Sequence, residues 1–102
     1  MTTSTTITAI ARLTAKPGRE EPMREQALSL VAPTLAEEGC LSYRPYRDPL
    51  DPASWVVVEE WADRACFAAH LASPHMVAAL EVMPELLAGP PTLRLLTALD
   101  EG

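Results

Sequence analysis

The stretch from Trp55 to Leu80, WVVVEEWADRACFAAHLASPHMVAAL, changes period once, and that change constrains the fold more than any other feature. Trp55 to Trp61 is rich in β-branched residues and reads as a buried strand. Period 2 sets Trp55, Val57, Glu59 and Trp61 on one face and Val56, Val58 and Glu60 on the other. Two residues later Asp63, a good N-cap, predicts a helix through Leu71. Ser73 and Pro74 repeat a cap followed by a first-turn proline, so a second helical segment is expected there. It should carry Val77, Leu80 and Leu87 inward, with Pro84 breaking or bending it.

The rest of the chain reads as scaffold around that stretch. Ile7 to Ala15 alternates as a strand, and Lys16-Pro17-Gly18-Arg19 ends it. From about Glu20 to Glu37, Met23, Ala27, Leu30, Val31 and Leu35 share one helical face. Glu20, Glu21 and Pro22 suit the start of that helix and Gly39 its end, while Pro33 should kink it near Ser29. Cys40 to Arg47 predicts a second strand that Pro45 confines to an edge or bulge. Asp48 to Ser54 reads as a loop joining it to Trp55 to Trp61 in an antiparallel hairpin. After Gly89-Pro90-Pro91, Thr92 to Leu99 reads as a fourth strand.

The element order is strand, helix, strand, strand, helix, strand. It predicts an α+β, ferredoxin-like βαββαβ domain spanning 1–102, with a flexible segment 1–5 and a short tail 100–102. With both helices on one face of a four-stranded antiparallel sheet, the other face is left uncovered. A second copy of the chain is its expected cover, giving a homodimer closed into an α+β barrel.

Charge and composition exclude several function classes. The chain has 102 residues and a net charge of -6, with Lys16 and seven arginines scattered along it. Such a surface repels phosphate backbones, so no nucleic-acid partner is expected. No apolar run is long enough to span a membrane, and Met1 to Thr6 lacks the features of a secretory signal, so a cytoplasmic protein is expected. Cys40 and Cys66 lie in separate elements, far from a CxxC spacing, and are expected as reduced thiols. Two histidines five apart, without suitably spaced carboxylates, predict no metal site, and no dinucleotide or phosphate loop is present.

Several segments together carry a family resemblance: Ala15-Lys16-Pro17-Gly18, Gly39-Cys40-Leu41-Ser42-Tyr43, Glu59-Glu60-Trp61-Ala62-Asp63, and Ala69-His70-Leu71-Ala72-Ser73-Pro74-His75. They resemble the antibiotic biosynthesis monooxygenase (ABM) domain family over nearly the whole chain. The resemblance implies a dimeric α+β barrel with a pocket between sheet and helices in each subunit. Known members include cofactor-independent oxygenases of anthrones and quinols, haem-degrading enzymes and a sugar-phosphate isomerase. Within the resemblance Trp61 matches the family's strand-end tryptophan and His70 its helix histidine. The haem-degrading branch has an asparagine on strand one where this chain has Ala11 before Arg12, and this chain contains no asparagine.

The residues themselves leave alternatives open. Glu59 beside an indole in a closed pocket would be a proton acceptor, its pKa raised by desolvation; otherwise it pairs with a neighbour such as Arg12. His70 extends the apolar stripe of its helix, so it either donates one hydrogen bond within the core or faces a pocket as a base or acid. Trp61 either fills the core or stacks on a planar substrate. His75 is either a first-turn capping residue or part of the site. Tyr43 and Arg12 are candidates for binding a phenolic oxygen or neutralising an enolate.

Together with what the resemblance implies, these readings lead to the expectation of a cofactor-independent monooxygenase acting on a small planar aromatic such as a quinol or anthrone, with molecular oxygen as co-substrate. His70 and Glu59 would be catalytic, with Trp61, Tyr43, Arg12 and His75 binding substrate. The alternatives are a non-catalytic dimer that binds a small hydrophobic ligand, and a haem-binding or haem-degrading protein.

Overall fold

A computed structural model describes residues 5–99. The tail 100–102 and all of the expected flexible segment except Thr5 lie outside the described residues. Thr5 itself is tied down, its Oγ1 donating to the Ala62 carbonyl at 3.0 Å.

The elements are β1 (Ile7–Thr14), α1 (Glu20–Ser29), α2 (Val31–Leu35), β2 (Cys40–Asp48), β3 (Asp51–Trp61), α3 (Arg64–Leu71), α4 (Pro74–Leu86) and β4 (Thr92–Leu96). All strand pairs are antiparallel, in the order β2-β3-β1-β4. This is the expected ferredoxin-like sheet. Pro45 falls on edge strand β2, where a missing N–H costs least.

The sheet's helix-facing side is set by β3. Trp55, Val57, Glu59 and Trp61 are all buried there, opposite Leu13, Ala11, Ala9 and Ile7 of β1. Met23, Ala27 and Leu30 from the α1 region and Ala79 and Met83 from α4 close the core over them.

Four local expectations are corrected. The kink near Ser29 is a complete break at Leu30, which ends α1 and starts α2. After this break α2 buries Thr34 and leaves Leu35 exposed, the reverse of a straight helix. Asp48 to Ser54 is mostly strand, because Asp51 to Ser54 extends β3 and leaves only a tight turn whose Leu50 N–H donates to Asp48 Oδ1 at 2.8 Å. The α4 helix runs on past Pro84 to Leu86 and buries Ala79 and Met83, leaving Val77 and Leu80 about half exposed. β4 ends at Leu96, short of Leu99.

The joint between α3 and α4 also departs from expectation. Ser73 has the extended backbone of a cap, yet its hydroxyl donates backward to the His70 carbonyl at 2.6 Å. It thereby adds a second hydrogen bond to a carbonyl at the end of α3 that already accepts from Ser73 N–H at 3.1 Å. The two helices bend by 57° at this joint, and among the described residues no single helix is long and apolar enough to cross a membrane.

Candidate functional site

Three elements converge behind the middle of the sheet. β3 delivers Glu59 and Trp61 to the helix side, and the last turn of α3 lays His70 over them. Asp63 anchors that helix, its carboxylate accepting from Cys66 N–H at 2.8 Å. The third contributor is the turn between α2 and β2. Gly39 there adopts φ +78, and a Cβ on it would lie 2.3 Å from Cys66 Sγ, so only glycine lets the turn approach α3 this closely. The Gly39 carbonyl accepts from Ala62 N–H at 2.8 Å, and the turn brings Glu37 against His70.

The side chains form one continuous network. Trp61 Nε1–H donates to Glu59 Oε1 at 2.9 Å. His70 Nε2 lies 3.7 Å from that same oxygen, too far for a direct hydrogen bond. His70 Nδ1 is 2.6 Å from Glu37 Oε2, and His75 Nε2 is 2.8 Å from the same atom. His75 Nε2 also lies 3.2 Å from Ser73 Oγ. The His70 ring is buried among Trp61, Tyr43 and Phe67, with centroids 4.7, 5.9 and 6.3 Å away.

Burial controls the electrostatics. Desolvation pushes the Glu59 carboxyl above its ordinary value, and the nearby Glu37 charge adds to this. The Trp61 hydrogen bond and the proximity of His70 work in the opposite direction. Tyr43 is driven strongly upward, first by burial and then by Glu59, so its phenol stays protonated at neutral pH. Burial likewise raises the Cys40 thiol, and Cys40 and Cys66 are both free.

Glu59 and His70 line an apolar cavity of about 160 Å³ together with Leu13, Phe67, Met76 and Leu93. Deeper in the core, a second space of about 70 Å³ is lined by Tyr43 and again by Glu59. Among the described residues, Glu59 is the only carboxylate on either wall. The cavity can therefore hold a small apolar molecule and offer it one carboxyl and one imidazole.

The expected site residues divide. Glu59, His70, Trp61 and Tyr43 come together. Trp61, fully buried, lines neither space and sits behind Glu59 as its hydrogen-bond donor, so the expected stacking face is not presented. His75 joins through Glu37, on the solvent side of the network. Arg12 is not part of it: its register partner is Val56, it is exposed, and it lies on the opposite sheet face from Glu59, which excludes the expected Glu59–Arg12 pair.

Glu37 was not among the expected residues. The available signal was an acidic residue just past a helix C-terminus, where the dipole disfavours negative charge. With Glu37 included, Glu37, His70 and His75 present three potential metal-ligand atoms within 4.8 Å of one another. The carboxylate–imidazole spacings of 2.6 and 2.8 Å are those of charge-assisted hydrogen bonds. A tetrahedral ion with bonds of about 2.0–2.1 Å would need its ligands to part by roughly half an ångström.

The family model described as antibiotic biosynthesis monooxygenase matches residues 6–82. Among known proteins, the chain is 31% identical over 96 residues to "Putative monooxygenase Rv0793" of Mycobacterium tuberculosis, covering 94% of each. It is 33% identical over 87 residues to "Probable quinol monooxygenase YgiN" of Escherichia coli, covering 76% of this chain and 84% of that one. It also matches the uncharacterized protein sll1783 of Synechocystis at 28% identity over 89 residues, spanning 60% of that protein's length. Among solved structures, PA3566 of Pseudomonas aeruginosa superposes with TM-score 0.90 at 32% identity, covering 98% of this chain and 100% of that one. Rv0793 superposes with TM-score 0.88 at 30% identity, covering 94% and 97%.

Proposed function

Because this chain belongs to the antibiotic biosynthesis monooxygenase family, we propose that it is a cofactor-independent monooxygenase of small planar aromatics such as quinols, with Glu59 and His70 as its acid–base pair. The observation that carries this reading is that a carboxyl with raised pKa and an imidazole lie 3.7 Å apart on the wall of one apolar cavity. A carboxylate in such surroundings is a stronger base than one in water, and a phenolic hydroxyl entering the cavity comes within reach of both groups.

The chemistry balances without an added reductant. Glu59 takes the hydroxyl proton, and the electron-rich phenolate passes electrons to oxygen and forms a C–O bond to it. The proton then returns to the outer peroxide oxygen, the O–O bond breaks as the oxygenated ring carbon gives up its own hydrogen as a proton to form the new carbonyl, and the outer oxygen leaves with both protons as water. A hydroquinone plus O2 thus becomes a hydroxyquinone plus H2O, with all four electrons coming from the substrate. The protein contributes orientation and a dry, fixed charge environment.

Size supports a small occupant. Spaces of about 160 and 70 Å³ fall below the roughly 300–1,000 Å³ of sites for drug-sized ligands. This favours one or two fused rings over a porphyrin. Turnover under ¹⁸O2 tests the reading: one labelled oxygen per product and one in water is expected. Unlabelled quinone with hydrogen peroxide would mean plain dehydrogenation and overturn it.

The working unit in this proposal is a homodimer. The sheet face away from the helices carries Ile10, Val56 and Val58, half-buried, with Tyr46 and Leu96 exposed beside them. Covering this apolar patch supports pairing with a second copy.

A further inference from the structure

We infer that Glu37, itself held by His75, is a positioning residue that fixes His70 in the Nδ1–H tautomer and turns its free Nε2 toward Glu59 and the cavity. This rests on the proposed pairing of Glu59 with His70 for its consequence in catalysis, and on geometry alone for the tautomer.

The hydrogen-bond geometry points to one pattern. With Glu37 Oε2 as the shared acceptor, His70 Nδ1 donates to it at 2.6 Å and His75 Nε2 donates to it at 2.8 Å. The Ser73 hydroxyl spends its hydrogen on the His70 carbonyl at 2.6 Å. At 3.2 Å it can therefore only accept from His75, which is consistent with His75 Nε2–H. Both imidazoles are fixed in opposite tautomers by one oxygen and one hydroxyl.

With Nδ1 protonated, neutral His70 keeps a lone pair on Nε2. That atom is buried and has no hydrogen-bond partner among the described residues. An orphaned polar atom at such a depth costs stability, so its presence points to a role that offsets the cost. Its neighbour is Glu59 Oε1, so the two atoms can hold one proton or one substrate hydroxyl between them. The groups facing His70 are Glu37 from the α2–β2 turn, Tyr43 from β2, Glu59 and Trp61 from β3, and His75 from α4. Among the described residues, only Glu37 contacts Nδ1 within hydrogen-bond distance. The arrangement follows the general logic in which a third group orients a catalytic base.

The experiment is ¹⁵N NMR of the histidine rings in the full-length protein, recorded before and after a chelator is added. Wild type should show a pyrrole-type Nδ1 and a pyridine-type Nε2 for His70. Glu37→Ala should convert this to a mixture of tautomers, whereas Glu37→Gln, whose amide oxygen still accepts, should retain the single form. In turnover, Glu37→Ala should lower kcat about tenfold or more with KM changed less than threefold. A protonated Nε2 in wild type, two pyrrole-type nitrogens, or an unchanged His70 pattern in Glu37→Ala would overturn the inference. So would ring signals that appear only once the chelator is added, since they would mark a metal in place of the Nδ1–H bond. If Glu37→Ala fails to fold, the wild-type spectrum decides. If no substrate is turned over, the NMR result stands independently of the proposed reaction.

Discussion

Trp61 and Glu59 lie two positions apart on the same face of β3, and the indole N–H of one donates to the carboxyl of the other at 2.9 Å. Period 2 brings the two side chains together, and burial makes the bond matter. Trp61→Phe keeps most of the ring volume but removes the donor. The variant should lose about 1–3 kcal/mol in urea denaturation, the usual cost of leaving a buried acceptor unmatched. Its Glu59 should also titrate higher than in wild type, because the indole bond favours the ionised form. Unchanged stability would show that this bond contributes nothing.

Glu59 gives a pH dependence with a definite sign. Its folded pKa is raised above the ordinary value of 4.5. The stabilisation tied to this group is therefore complete below about pH 4.5 and is lost as pH rises through the folded value. Glu59→Gln mimics the protonated acid and removes this loss. Urea titrations should give the variant a stability equal to wild type near pH 4.5 and greater at pH 8. A difference independent of pH would contradict the raised pKa.

Gly39 is the tightest point of the turn that carries Glu37. Gly39→Ala faces about 1–2 kcal/mol for a left-handed backbone and about 1–3 kcal/mol for overpacking, with its Cβ built 2.3 Å from Cys66 Sγ. Denaturant midpoints should fall accordingly, and Cys66→Ala in the same chain should recover part of the packing loss but none of the backbone cost. Full recovery would show that the positive φ is not strained.

The proposed dimer has a direct check in mass. Light scattering at micromolar concentration should report twice the 11.1 kDa of one chain, and Val58→Arg, in the centre of the open sheet face, should reduce it to one. A wild-type monomer would contradict this pairing.

The sequence made the sheet and half of the site legible for a physical reason. Period 2 in a strand such as Trp55 to Trp61 reads out both faces, so Glu59 and Trp61 could be placed together and the family resemblance could add His70. Arg12 was misplaced because strand periodicity alone does not give the register between β1 and β3. That register sets Arg12 against Val56, and its parity turns the side chain to the other face. Glu37 escaped because it lies in a turn, where no period applies, and meets His70 and His75 only through long-range packing. Of the residues assigned inward on α4 and just after it, Leu87 is buried and Leu80, though half exposed, lines the cavity, while Val77 is half exposed because the helix buries a narrow stripe, Ala79 and Met83.

The central claim is that the cavity bounded by Glu59 and His70 oxidises a small quinol with oxygen and no cofactor. Oxygen uptake on adding a 1,4-naphthohydroquinone, measured with chelator present and corrected for spontaneous oxidation, tests it most directly. The account predicts saturable uptake of one O2 per quinol that falls about 10²-fold or more in Glu59→Gln. Uptake no faster than in buffer alone, or equal rates for wild type and Glu59→Gln, would contradict it.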